Sequence, residues 1–584
     1  MCAAADRVAS CSLGQKILPM RFFNLFLLFI ASGSLFAAKE PKGVVNAKKS
    51  LVTILVYDDG VLLRNGLGVF VGDRGDVLSA YSLFQGADSA VCVDASGRVR
   101  PIERIVGADD VYDCIKVRAA WDKKIKPLRM AADAAAKGAT LYMVASASKK
   151  SAPSEQLIVS DVTTASGTAY YTLDKPLDSL YQAAPVVSEA GELVALVQPS
   201  AAGDTISSYA IAASFVDALS TSSLTYNSTL YDNIDIRRAL PPTQKEALTT
   251  LYLLQGLSMG EDKARFFAPL NDYISEYPQS YEGHLMLAEY FAIADSAFDK
   301  ARTHWDKALR LSDRPDDVFF NISKVYTGAV ARHAADNDSV AVQFIDSALV
   351  NVDRAIAIKC EPLYLHNKAE LHFAKGNFAE AFDCYEALSH TSMSSAEVYA
   401  AASKCKEALG EYDAAVAQMD SAVATFGTLP VEAMAPYLLN RAMLKHKAGR
   451  AREAVLDFNG YERLREGRLA APFYYMREQA EYDAKMFQQA LNDIDIAIYM
   501  QPQEPLYYIE KARLCYRVKL VDEALSALSV AAGLVPENPD VHYLVGRCHQ
   551  SKGDNAKAKE AFIKAKEYGH PDAEARLGDI DKQQ

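Results

Sequence analysis

The chain has 584 residues, half of them apolar, and a formal net charge of −12. That length exceeds what one hydrophobic core holds and predicts two or more domains. The acidic balance argues against a nucleic-acid binder, which needs a basic face to displace counterions.

Residues 1–19 read as an upstream extension of the kind a misassigned start leaves. From Met20 onward one positive charge, Arg21, precedes the apolar run Phe22–Ile30, and small residues follow. This is the layout of a secretory signal peptide, with cleavage expected near Ala37 or Ala38. The run falls short of the ~20 apolar residues of a membrane span, so the one membrane reading left is an uncleaved anchor. No cysteine follows the run closely, which speaks against a lipoprotein anchor. The expected location is exported, either periplasmic or secreted.

Residues 39–219 read as an all-β domain. The runs 50–59, 66–72, 76–84, 89–96, 113–119, 139–146, 156–164, 184–188 and 192–198 are short and β-rich, separated by Gly, Asp and Ser turns. Many short strands without intervening helices suggest a barrel or a sandwich. Residues 220–242 are rich in Ser, Thr and Asn and read as a linker.

From 243 to 584 the period is helical, with a longer repeat on top of it. An Ala recurs at 301, 348, 381, 415, 454, 490, 524 and 558. Four residues later stand Trp305, Val352, Tyr385, Met419, Phe458, Ile494, Leu528 and Phe562, and seven later Ala308, Ala355, Leu388, Ala422, Tyr461, Ala497, Ala531 and Ala565. Positions i, i+4 and i+7 share one helix face, where small residues admit a close neighbouring helix and a bulky one fills the space beneath it. Gly376, Gly410, Gly449 and Gly553 stand five residues before the Ala, and Pro502 and Pro536 twelve after it, as the ends of paired helices require. This pattern resembles the tetratricopeptide repeat family, a 34-residue helix–turn–helix unit that stacks into a solenoid. About nine helix pairs are expected, with 243–278 as a degenerate first pair and 572–584 as a polar cap. The unit starting near Asp316 is about 13 residues too long, and the excess is expected to lengthen a helix or loop around Ala329–Asp338.

The β domain resembles trypsin-like peptidases of the HtrA type. GLGVFVG (66–72), VLSAYSLFQGA (77–87), DCIKV (113–117), GELVALVQ (191–198) and SYAIAASFVDAL (208–219) follow that family's segments in order and spacing. The resemblance implies a double β-barrel, so the fold expected overall is a trypsin-like double barrel followed by an all-α repeat solenoid. It also puts Ser82 at the catalytic His position, Asp113 at the Asp position and Gln182 at the Ser position, with Leu180 at the oxyanion-hole glycine.

A glutamine amide is not a nucleophile of the serine kind, and a hydroxyl at Ser82 cannot act as the base that activates one. All ten histidines lie at 284 or beyond, so the β domain has no imidazole of its own. The chain is therefore expected to be a pseudopeptidase rather than an enzyme: an exported scaffold with a protein or peptide partner. The alternative is an active or accessory secreted peptidase whose repeats recruit substrate or a catalytic partner.

In register, the groove face of the repeats carries Asn367, Asn440, Met443, His446, Tyr475, Tyr482, Arg513, Tyr516, Arg517, Tyr543 and Arg547. Tyr and Arg commonly carry interface energy, and the set suits a peptide with apolar and acidic groups. The same tyrosines serve equally well as packing between neighbouring helices. The seven cysteines beyond the presequence fit neither a disulfide framework nor a zinc site, and whether Cys92 and Cys114 pair is open. No metal or cofactor is expected.

Overall fold

A computed structural model gives the architecture. It describes residues 40–120, 126–145, 154–165, 167–198, 206–258, 263–294, 297–333, 338–466 and 468–581. The expected signal peptide lies outside the described residues. The chain divides into two compact units, one ending at Leu253 and the other beginning at Leu254.

The first unit is built of two closed antiparallel barrels of six strands each. Strands β1 (Leu51–Asp58), β2 (Val61–Val71), β3 (Asp76–Ser79), β4 (Ser89–Asp94), β5 (Val99–Asp109) and β6 (Cys114–Ala119) close in the order β1-β2-β3-β6-β5-β4. Strands β7 (Thr140–Met143), β8 (Glu155–Ala165), β9 (Thr168–Leu173), β10 (Pro185–Val187), β11 (Leu193–Gln198) and β12 (Ser208–Ala212) repeat that order, as β7-β8-β9-β12-β11-β10. This is the double barrel that the trypsin-like resemblance implies. Val69, Leu78 and Cys114 of the first barrel and Leu196 and Ile211 of the second share one apolar core. Helix α1 (Lys42–Ala47) adds Val44 and Ala47 to that core. It lies so close to the β10–β11 turn that a Cβ on Gly43 would sit 2.2 Å from the backbone of Ala190.

The segment 220–242 is not a linker. After helix α2 (Ala213–Ala218) the chain runs back along the first barrel as a strap. Thr221 N–H donates to Val106 O at 2.7 Å, Gly86 N–H to Asn233 O at 2.7 Å, Ile105 N–H to Arg237 O at 2.8 Å and Ala239 N–H to Ile105 O at 2.7 Å. Tyr231, Ile234 and Ile236 are buried within the first-barrel core. Within this segment Ser222 and Thr225 bond each other across a turn and Thr221 Oγ1 donates to Ala239 O at 2.8 Å, while the apolar residues between dock.

The second unit carries eight packed helix pairs among the described residues, from Tyr281–Ala294 with Phe298–Leu311 to Pro539–Ser551 with Asn555–Glu567. Residues 243–278 form two helices, Gln244–Ser258 and Lys263–Glu276, and Ala573–Asp581 caps the far end with Ile580 against Phe562. All eight recurrent alanines are fully buried, and the eight bulky residues four positions on are buried as well. The surplus residues near Asp316 lengthen both helices of their unit, Pro315–His333 and Asp338–Ile358.

The turn between paired helices is the same in six units. Asn377, Glu411, Arg450, Met486, Leu520 and Asp554 each donate an N–H to the carbonyl five residues back, at 2.8–2.9 Å, which is the Schellman closure of a helix end. The residue before each donor is left-handed: glycine at 376, 410, 449 and 553, but Lys485 (φ 63°) and Lys519 (φ 69°) in the other two units. A side chain there costs about 1–2 kcal/mol, part of which glycine's freedom in the unfolded chain offsets. Lys519→Gly should therefore raise stability by about 0.5–1 kcal/mol, read as a higher urea midpoint. An unchanged or lower midpoint would contradict this account of the turn.

Candidate functional site

Three residues that are distant in sequence meet between the barrels. Ser82 opens a one-turn 3-10 helix, Ser82–Phe84, that follows β3. Asp113 ends the turn from β5 into β6, in left-handed backbone at φ 48°. Gln182 follows a second one-turn helix, Ser179–Tyr181, just before β10. Asp113 Oδ1 accepts from Ser82 N–H at 2.6 Å, and Oδ2 accepts from Ser82 Oγ at 2.9 Å and Gln182 Nε2 at 3.0 Å. The three positions picked out by the resemblance thus form one cluster, in which the carboxylate ties the second barrel's loop to the first barrel.

Chemically the cluster is a carboxylate satisfied by three donor groups from two residues. The Ser82 hydroxyl donates its hydrogen bond to Asp113, and no imidazole precedes His284 in the sequence. The nearest thiol in sequence, Cys114, is buried, and burial pushes it up to about 12, so it carries little thiolate. Cys92 is likewise buried and pushed up to about 11. Both cysteines are free thiols, which closes the question of their pairing.

The backbone around Gln182 is committed as well. The Asp178 carboxylate caps the short helix and takes Leu180 N–H at 2.9 Å. Gln182 N–H donates to Ser179 O at 3.0 Å and Ala183 N–H to Val197 O at 2.9 Å. An oxyanion hole needs free donors aimed at one point, whereas here the N–H groups of Leu180 and Gln182 both point into their own turn. Ala183 stands where the resembled family has glycine and holds φ 57°. The Leu180 side chain turns outward and is 80% exposed, and Val111, before Asp113, is 82% exposed.

The strap reaches this region. Tyr81, next to Ser82, donates its hydroxyl to Leu230 O at 2.5 Å. Burial raises the Tyr81 hydroxyl's pKa, and Asp110, Asp113 and Asp232 add to the shift. Sequence reasoning missed this contribution. The apolar spacing Tyr231, Ile234, Ile236 was the available signal, hidden by the polar residues around it.

On the repeats, most of the groove residues are engaged by side chains of their own or the next helix pair, and Tyr516 and Arg547 meet each other. Tyr516 OH accepts from Arg547 Nη2 at 3.2 Å, Tyr475 packs on Tyr507 at 5.5 Å between centroids, and Tyr543 stacks on His570 at 3.9 Å. His446 lies 2.7 Å from Asp483, Arg513 bonds Asp540 at 3.0 Å, and Tyr482 meets Phe487 edge-on at 5.9 Å. Asn440 and Met443 are half-buried and Arg517 is exposed. Asn367 differs from expectation: it is buried, and its side chain accepts from Ser323 Oγ at 2.9 Å. It is held between helices rather than presented to a ligand. Among the described residues no group of three or more His, Cys, Asp or Glu is arranged to hold a metal ion, and no helix is long and apolar enough to cross a membrane.

Residues 539–568 match the tetratricopeptide repeat family, over the pair Pro539–Ser551 and Asn555–Glu567. Among solved structures the chain is similar to the crystal structure of the serine endoprotease from Yersinia pestis, at 15% identity over 31% of this chain and 65% of that one, with a TM-score of 0.27. The match therefore spans slightly less than two thirds of that protein. No curated protein matches. The barrel architecture stands on the strand order given above.

Proposed function

We propose that the chain is an exported, non-catalytic scaffold that binds a protein or peptide through its repeats and its disabled peptidase-like unit. The observation that carries this reading is the commitment of the Leu180 and Gln182 N–H groups to their own turn, at 2.9 and 3.0 Å, beside a cluster that lacks both a nucleophile and an imidazole. Losing one oxyanion donor costs an active peptidase about 10²–10³ in rate, and losing nucleophile and base removes the covalent route. Export rests on the apolar run and small residues ahead of Ala38. Partner binding rests on the repeats, since stacked helix pairs present an extended concave surface. Leu180 and Val111 give the first unit apolar contact points for an extended peptide held without cleavage.

The test uses the full chain with a casein substrate and a serine-reactive probe, alongside the double variant Ser82→His/Gln182→Ser. Neither protein is expected to cleave or to be labelled, because the variant regains the side chains but not the oxyanion donors. Cleavage by the natural chain would support the alternative, a peptidase whose repeats recruit substrate. Cleavage by the variant alone would overturn the backbone argument. A pull-down that returns a catalytic homologue would favour the accessory role.

A further inference from the structure

Two neighbouring repeats build the same buried ionic position with opposite charge balance. In the unit 435–465, buried Asp457 accepts from Arg441 Nε and Nη2 at 2.7 and 2.6 Å and from Lys445 Nζ at 2.8 Å. Thirty-six residues on, the same positions are Arg477, Glu481 and Asp493. Arg477 again clamps the aspartate, at 2.6 and 2.9 Å, but the lysine has become a glutamate. The small position of the first helix, Ala442 in one unit and Ala512 in another, is Glu478 here. Glu478 and Glu481 are 3% and 4% exposed, and each has one carboxyl oxygen, Oε2, without a hydrogen-bond partner.

The groups packed around them are short of positive charge. On its own helix Glu478 meets Glu481 and Asp483, and Tyr475 stands beside it. The second helix of the unit contributes Asp493, and the next unit contributes Glu510, which Arg513 holds at 3.0 Å. The preceding unit contributes Glu462. Arg477 is engaged by Asp493, by Glu462 at 2.5 Å and by Asn459 at 2.9 Å, and reaches Glu481 Oε1 only at 4.0 Å. Burial, with Glu510 and Glu481 nearby, pushes Glu478 up to about 8. Burial and Asp493 push Glu481 up to about 8, against the pull of Arg477.

We propose that Glu478, with buried Glu481 beside it on the same helix, forms a proton-binding joint between the units 471–500 and 505–534, closed when its carboxyl is protonated and loosened when it ionises against Glu510. A proton fits where larger cations do not, because the unpartnered oxygens are sealed from solvent. Tyr475 and Arg513, on the two sides of the joint, belong to the groove face, so the joint couples groove geometry to pH. That coupling rests on the proposed function, whereas proton uptake does not.

The sign follows from linkage. An unfolded glutamate loses its proton near pH 4.3, while the folded array holds these two up to about pH 8. Across that window the folded state binds more protons, so stability falls as pH rises and levels off above it.

The experiment uses the full chain, following the denaturant midpoint of the array and the infrared absorption of protonated carboxyl groups from about pH 5 to about pH 9. The wild-type midpoint should fall with rising pH, and a protonated-carboxyl band present near neutrality should bleach toward the alkaline end. Glu478→Ala, which installs the residue found at Ala442 and Ala512, should flatten the slope and remove part of the band. A wild-type chain with no such band near neutrality overturns the proposal, as does a slope that Glu478→Ala leaves unchanged. Should that variant fail to fold, the wild-type band decides. Normal proton uptake with pH-independent peptide affinity would sink the groove coupling alone.

Discussion

Replacing Ile234 by Ala is expected to destabilise the first unit by about 2–5 kcal/mol, the range for emptying a buried isoleucine site. Ile234 is 2% exposed and belongs to the core of the first barrel, although it lies 115 residues beyond the end of β6. It reaches that core because the strap is hydrogen-bonded on both sides of it: Gly86 N–H to Asn233 O and Asp235 N–H to Ala87 O, each at 2.7 Å. Gly107 allows the strap to begin its run, since a Cβ there would sit 2.5 Å from Ser220 N. Limited proteolysis of the full chain should read the loss as faster cleavage within 40–240 while the array stays protected. Equal protection of variant and wild type would mean the strap is an ornament. A peptide-binding fragment of the first unit must accordingly extend through Leu240, which is itself buried.

How far the sequence reaches depends on how local the signal is. The alanines at 301 through 558 are local: each sits on one helix face, and all eight are buried. The strands β5 and β9 show no comparable alternation to a reader of the sequence. Strand β5 contains Pro101 and two register shifts, between Ile102 and Arg104 and between Ile105 and Gly107, which scramble its period of two. The Ser82, Asp113 and Gln182 cluster was legible only through family resemblance, because no spacing along the chain brings those residues together. The capture of the N–H groups was not legible: the Leu180 side chain points to solvent, and it is the Asp178 cap that takes its N–H. The buried acids of the array were missed because glutamate on a helix reads as solvated face, and only stacking against neighbouring units buries it.

Arg477 is the residue whose removal should cost the array most. Arg477→Leu keeps an apolar stem but removes the guanidinium, which lies 5.1 Å from the Phe473 ring, and leaves Asp493, Glu462 and Glu481 without their cation. Breaking a buried ionic cluster by deleting one partner costs about 3–5 kcal/mol, since the remaining charge stays desolvated. The loss should be largest at mildly alkaline pH and shrink toward about pH 5, where the orphaned carboxyls take up protons. Arg441→Leu is the internal control. Its Asp457 keeps Lys445 Nζ at 2.8 Å, so its penalty should be smaller and flatter with pH. Urea midpoints of both variants at two pH values decide the matter. Equal penalties for the two arginines, or a penalty for Arg477→Leu that does not change with pH, would mean that the charge balance of the two repeats has no energetic consequence.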